Sequence, residues 1–122
     1  MWEVDLELIS EWLEGLDDNS YDRVIAAMEL LRRRGPALGR PLVDQVKGSR
    51  YPNMKELRPG SSGRQKIRIL FAFDSKRKAI MLIAGDKSNK WSAWYKKNVP
   101  LADQLYQAYQ SKDTGDENAT EH

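Results

Sequence analysis

The spacing of apolar residues along this chain changes repeatedly, and each change marks an element. Trp2, Val4 and Leu6 alternate with Glu3, Asp5 and Glu7, the period of a short strand. Leu8, Ile9, Trp12, Leu13 and Leu16 then fall on one helical face. Gly15 breaks that helix, and Asp17-Asp18-Asn19-Ser20 offers N-caps for a second, with Val24, Ala27, Met28 and Leu31 along one side. Arg32, Arg33 and Arg34 suit its last turn, where cations meet the negative end of the helix dipole, and Gly35-Pro36 ends it. Residues 35–53 are rich in glycine and proline and predict an irregular connection, pinned to the core by Val43 and Val46. Strands follow at about 54–58, 65–74 and 78–85. The loop 59–63 joins the first two, and residues 74–77 turn tightly between the second pair. Ile80 to Ala84 is apolar at every position, as in a central strand. Pro100 fits the first turn of a final helix with Leu101, Leu105, Ala108 and Tyr109 on one face. From Ser111 the chain is polar and acidic, which predicts a single domain over 1–110 and a disordered tail over 111–122. The predicted fold is α+β: two N-terminal helices packed on one face of a small antiparallel sheet, with a C-terminal helix and the other sheet face open.

Charge changes this picture. Arg64, Lys66 and Arg68 alternate with Ile67, Ile69, Phe71 and Phe73, so a row of cations would lie on the open face, backed by an apolar one. The net charge of +2 conceals a segregation. Residues 1–31 hold nine acids and one base, whereas residues 47–97 hold fourteen bases against three acids. A protein so divided has a cationic working face, suited to a polyanion such as nucleic acid.

Composition removes much else. With 122 residues, 40% hydrophobic and 31% charged, the chain reads as one soluble globular domain. It has no cysteine, hence no disulfide framework, thiolate metal site or thiol nucleophile, which fits a reducing cytoplasm. Met1 leads into an acidic segment, so no secretory leader is expected, and Ala79–Ala84 is far too short to span a bilayer. The one histidine is His122 at the end of the tail, so no histidine base serves any serine. Gly60–Gly63 lacks the spacing of a phosphate-binding Walker loop, and the carboxylates crowd the N-terminal helices as solvated acids do. No metal and no cofactor are expected. Lysine, arginine, tyrosine and Glu56 remain, a set able to cleave RNA. The 2′-hydroxyl attacks the neighbouring phosphate, arginines stabilise the charge on its oxygens, and a lysine crowded by cations has a lowered pKa.

Several runs resemble one family. Asn53-Met54-Lys55-Glu56-Leu57-Arg58, then Arg68-Ile69-Leu70-Phe71, then Gly85-Asp86-Lys87 after an apolar strand, are similar to the RelE/ParE toxin superfamily, closest to its phage-derived HigB-like branch. Trp2-Glu3-Val4 and residues 35–41 resemble that branch too, so the similarity spans roughly residues 2–110. The resemblance implies a RelE-like fold and the toxin of a type II toxin–antitoxin pair. RelE-like and HigB-like members are ribosome-dependent mRNA endoribonucleases, and HigB-like ones pair with a helix-turn-helix antitoxin. The implied partners are that antitoxin, mRNA and ribosomal RNA, with no membrane. ParE-like members share the fold but inhibit DNA gyrase without catalysis, one alternative here; a phage protein that binds nucleic acid without cutting it is another. By position, Arg68 matches a catalytic strand arginine, Arg58 the base closing the preceding strand, and Lys87 a second basic position. RelE has a lysine where this chain has Glu56, and Tyr95 lies slightly out of register with the family's C-terminal tyrosine.

The catalytic candidates are therefore Lys55, Arg58, Arg68, Lys87 and Tyr95, with the proton-handling role open among Lys55, Lys87 and Tyr95. Arg58, Arg64 and Arg68 are the candidates for gripping the phosphate. Lys55 could equally pair with an acid on the N-terminal helices. The RNA-binding candidates are Arg64, Lys66, Lys76, Arg77, Lys90 and Trp94. Lys76 and Arg77 are solvated turn charges or contacts to ribosomal RNA. Trp94, amid lysines, either stacks on bases or docks its segment on the sheet.

Overall fold

A computed structural model describes residues 1–60, 66–87 and 91–120, and for Trp91 and residues 113–120 the backbone alone. Its strands are β1 (Glu3–Asp5), β2 (Val43–Gln45), β3 (Met54–Leu57), β4 (Ile67–Phe73) and β5 (Lys78–Asp86). Its helices are α1 (Ser10–Glu14), α2 (Asp18–Arg34) and α3 (Trp91–Thr120). The described strands form one mixed sheet in the order β1-β5-β4-β3-β2, parallel only at β1–β5. The architecture is α+β, consistent with a RelE-like fold.

Local chemistry sets the N-terminal half. Asp17 caps α2, its carboxylate accepting the Ser20 N–H at 3.1 Å. Val24, Ala27, Met28 and Leu31 are buried along the predicted side of the helix. Gly35 ends α2 at φ +56°, and the Trp2 indole occupies the space its Cβ would need. β2 pairs with β3 inside the stretch read as irregular, with Val43 buried. Three residues are too short a run for alternation to reveal a strand.

Two cores flank the sheet. On one face Leu57, Ile67, Ile69, Phe71, Ala79 and Met81 pack with Val24, Met28 and Leu31 of α2. On the other, Met54, Leu70, Ala72, Ile80 and Leu82 pack with Val99, Ala102 and Tyr106 of α3. The second face is therefore not open, contrary to the sequence expectation. The alternation that places Lys66 and Arg68 on it continues into Leu70 and Ala72, and apolar residues on both faces of a sheet require cover on both. α3 provides it, which leaves the cations at one end of that face only.

α3 begins nine residues before Pro100, which sits inside the helix rather than in its first turn. Val99, Ala102 and Tyr106 are the buried face, while Leu101, expected inside, is 40% exposed. The run Tyr95, Val99, Ala102, Tyr106 already has helical spacing, and its burial on the sheet holds the helix together around the proline. The polar segment read as a tail from Ser111 continues as helix to Thr120, because each further residue extends an existing hydrogen-bonded spiral without a new nucleus. Residues 121–122 lie outside the described residues. Among the described residues no helix is long and apolar enough to cross a membrane.

Candidate active site

Three antiparallel strands bring their ends together where α3 starts. β3 ends at Leu57, opposite Ile69 of β4, and Arg68 lies opposite Gly85 of β5. A β-bulge decides which way β5 then faces. Leu70 is opposite Ile83 and Phe71 opposite Met81, so Leu82 is the extra residue, and Leu82 and Ile83 both pack on the α3 side. The alternation resumes one step out of phase. Ala84 faces the first core, Gly85 meets Trp94, and the Lys87 ammonium stands 5.2 Å from the centre of the Tyr95 ring. Without the bulge Lys87 would point to the opposite face, away from Arg68 and Tyr95.

Glu56 is the centre of the cluster, only 3% exposed. Its Oε1 accepts from Arg58 Nε at 2.8 Å and from Nη2 at 2.7 Å. Its Oε2 accepts from the Tyr95 hydroxyl at 2.6 Å. Arg58 Nη2 also lies 3.2 Å from Asp44 Oδ2 on β2. Arg68 donates through Nη1 to the Ile67 carbonyl at 2.8 Å, and its buried Nε has no hydrogen-bond partner among the described residues.

The electrostatics follow from this crowding. Burial, reinforced by the Glu56 carboxylate, pushes the Tyr95 hydroxyl up to about 12, although Arg68 beside it pulls the other way. Burial also lowers the Lys87 ammonium, helped by Arg68, Arg58 and Lys66 and opposed by Glu56. For Arg58 burial acts against the charge, but Glu56 and Asp44 outweigh it and the guanidinium is held more firmly protonated. The cluster thus holds a neutral tyrosine on a carboxylate, a lysine inclined to give up its proton, and an arginine whose buried Nε has no partner among the described residues.

Of the sequence candidates, Arg58, Arg68, Lys87 and Tyr95 meet here. Lys66 is adjacent, its carbonyl accepting the Lys87 N–H at 3.1 Å and its own N–H bound to Asp86 Oδ1 at 3.1 Å. Lys55 does not join them. Strand alternation places it on the other face from Glu56, beside a surface hollow lined by Pro36, Arg40 and Asp44. Lys76 and Arg77 lie at the other end of the β4–β5 hairpin, roughly 25 Å away by strand rise. There Asp74 Oδ1 accepts the Lys76 N–H at 2.8 Å, and Arg77 lies over the Trp2 ring at 4.8 Å. Trp94 packs into the second core, edge-on to Tyr95 with centroids 5.2 Å apart. Arg64 and Lys90 lie outside the described residues. Among the described residues no three acidic or histidine side chains converge as a metal site would require.

Glu56 enters the sequence reading only as the one acid left in the reactive set, with no role assigned to it, and Asp44 does not figure there at all. A signal for Glu56 was available: it shares strand parity with buried Met54, and an acid at a core position two residues from an arginine needs that partner. Asp44 carries no such signal, because its role depends on the pairing of β2 with β3.

Residues 11–107 match the sequence profile of a family described as phage derived protein Gp49-like (DUF891). The chain is 57% identical over 105 residues to "Putative toxin HigB2" of Mycobacterium tuberculosis, an alignment covering 86% of this chain and 52% of that protein. It is 44% identical over 110 residues to "Putative toxin HigB3" of the same organism, covering 90% of this chain and 94% of that protein. The chain therefore spans about half the length of the first relative and nearly all of the second.

Proposed function

This chain belongs to the family of phage-derived Gp49-like proteins, and on that premise we propose that it is the toxin of a toxin–antitoxin pair, an endoribonuclease that cuts mRNA on the ribosome with its own side chains. The toxin names of its relatives support the first part. The observation that carries the second is the meeting of Arg68, Lys87 and Tyr95 around Glu56 at the end of the sheet where α3 begins.

The chemistry is an in-line attack. The 2′-oxygen forms its bond to phosphorus while the bond from phosphorus to the 5′-oxygen breaks. The 2′-hydroxyl proton passes to Tyr95 as the tyrosine hands its own proton to Glu56 along the 2.6 Å hydrogen bond. A tyrosine with its pKa near 12 is almost wholly un-ionised near neutral pH and cannot itself serve as the base, so the carboxylate behind it is the final acceptor. Lys87, its ammonium destabilised by burial and by Arg68, protonates the departing 5′-oxygen. Arg68, whose guanidinium is close enough to crowd Lys87, brings its positive charge to the non-bridging oxygens as charge builds on them. The products are a 2′,3′-cyclic phosphate and a 5′-hydroxyl. The ribosome supplies the in-line geometry, and a helix-turn-helix antitoxin masks the cationic end.

Expression without an antitoxin, followed by mapping of RNA ends, tests the reading. Growth arrest with new 5′-hydroxyl ends inside translated codons is expected, both lost in Arg68→Ala at normal protein level. Arrest that persists in Arg68→Ala, or that tracks altered DNA supercoiling with intact mRNA, overturns it.

A further inference from the structure

The sequence pattern offers Arg58 as a phosphate ligand, but its surroundings assign it another task. Glu56 and Asp44 are directly opposite each other on β3 and β2. The Arg58 guanidinium lies between them, 2.7 Å from Glu56 Oε1 and 3.2 Å from Asp44 Oδ2. The Arg58 N–H is bound to the Leu42 carbonyl at 2.6 Å, which ties this residue to the segment entering β2. We propose that Asp44 and Arg58 are positioning residues, a brace from β2 that holds the Glu56 carboxylate beneath the Tyr95 hydroxyl, and that Arg58 takes no phosphate. This rests on the ribonuclease reading above.

Three physical points lead there. The first is charge: one guanidinium is shared by two carboxylates, so the trio carries no positive surplus to offer an anion. The second is geometry. A guanidinium grips a phosphate best through a pair of parallel N–H groups, and the Nε and Nη2 pair of Arg58 is already on Glu56 Oε1. The third is division of labour at the carboxylate. Oε1 faces Arg58 and Oε2 faces Tyr95, so the arginine fixes the plane in which the proton-accepting oxygen lies. A carboxylate as buried as Glu56 would be costly without such a partner. Asp44 completes the brace from the edge strand and is itself steadied by Arg40 at 3.2 Å.

Two carboxylates on one arginine also give the test its sign. If Arg58 bound phosphate, Asp44 would be a competitor for it, and Asp44→Asn would tighten RNA binding. If Arg58 braces Glu56, the same change leaves binding alone and slows the chemical step. Asp44→Asn, Arg58→Gln and Arg68→Gln are compared with the parent. The readings are maximal cleavage rate on mRNA-programmed ribosomes, affinity for a short single-stranded RNA over a range of salt, and thermal unfolding. Arg58→Gln leaves Glu56 buried without its cation and can unfold the protein; Asp44→Asn keeps that pair and is the variant that decides.

The expected result is a cleavage rate at least about tenfold lower in Asp44→Asn. Its RNA affinity and salt dependence stay as in the parent, while Arg68→Gln loses about one unit of salt slope. Tighter binding in Asp44→Asn, an unchanged cleavage rate in it, or a loss of salt slope in Arg58→Gln equal to that of Arg68→Gln overturns the brace. A parent that cleaves no RNA defeats the ribonuclease reading instead, and the binding measurements then still decide whether Arg58 touches phosphate.

Discussion

Gly85 is in contact with the indole of Trp94: a Cβ added to Gly85 would stand 2.6 Å from Trp94 Nε1, closer than real Cβ atoms come. Gly85 also lies directly opposite Arg68 on β4. This glycine therefore sets how near the first turns of α3 come to the end of the sheet where Tyr95 meets Glu56. Gly85→Ala is expected to destabilise the protein by about 1–3 kcal/mol through overpacking and to lower cleavage by displacing Tyr95. Chemical denaturation checks the first effect. Combining it with Trp94→Phe, which shortens the opposing ring, should restore part of the loss, a non-additivity that two independent sites would not show.

Tyr95→Phe removes the hydroxyl between substrate and Glu56 while keeping the ring that packs against Trp94. Cleavage should fall by roughly 10²–10⁴-fold with RNA affinity little changed. The same variant tests the alkaline behaviour. The folded state holds the Tyr95 proton more tightly than the unfolded chain, from an ordinary 10.0 up to about 12. Between those values the folded state binds more protons, so this contribution to stability is intact below about pH 10 and is lost as pH rises towards 12. Unfolding midpoints measured across that window should fall more steeply for the parent than for Tyr95→Phe.

Arg68 combines a needed charge with a buried Nε that has no hydrogen-bond partner among the described residues. It also adds to the like-charge crowding of Lys87. Both are unfavourable to the folded state, and an anion that arrives relieves the crowding of charge. Arg68→Met keeps the length and removes the charge. It should unfold at or above the parent's temperature in a thermal melt while losing cleavage and growth arrest. A clear drop in melting temperature would mean that Arg68 is held for folding rather than for the phosphate.

How far these features are visible in the chain depends on how local their causes are. The Asp17 cap, the α2 face of Val24, Ala27, Met28 and Leu31, and the stop at Gly35 follow from neighbours within a few residues, and each is in place. The central position of β5 follows from its unbroken apolar run, but that same run hides the bulge at Leu82, since an apolar residue one step out of phase looks like any other. Lys87 reaches the cluster because of that bulge, although only its place in the family resemblance, after Gly85, selected it. Pro100 misleads because a single strong local signal is outweighed by the burial of Val99, Ala102 and Tyr106 on either side of it. Arg58, Arg68 and Tyr95 could be picked out one by one. Their organisation around Glu56 and Asp44 needs the strand register, which is a long-range fact.

Asp103 shows the same point away from the cluster and gives a last test. It is a carboxylate in the buried face of α3, 3% exposed, where the helical pattern alone would demand an apolar residue. Its Oδ2 accepts the Arg50 N–H at 2.9 Å and its Oδ1 accepts the Ser49 hydroxyl, which in turn accepts the Tyr51 N–H at 3.0 Å. The carboxylate thus stands in for a sheet or helix partner in the connection that leads into β3. Asp103→Ala would strip these donors of their acceptor in a part-buried setting, at a cost of about 2–4 kcal/mol. The loss should be local in origin. Hydrogen exchange at Arg50 and Tyr51 should speed up more than exchange along β4 and β5, and Asp103→Asn, which keeps an acceptor oxygen, should recover part of the stability. If Asp103→Ala left both the unfolding midpoint and exchange at Arg50 unchanged, the buried carboxylate would not be what secures this connection to α3.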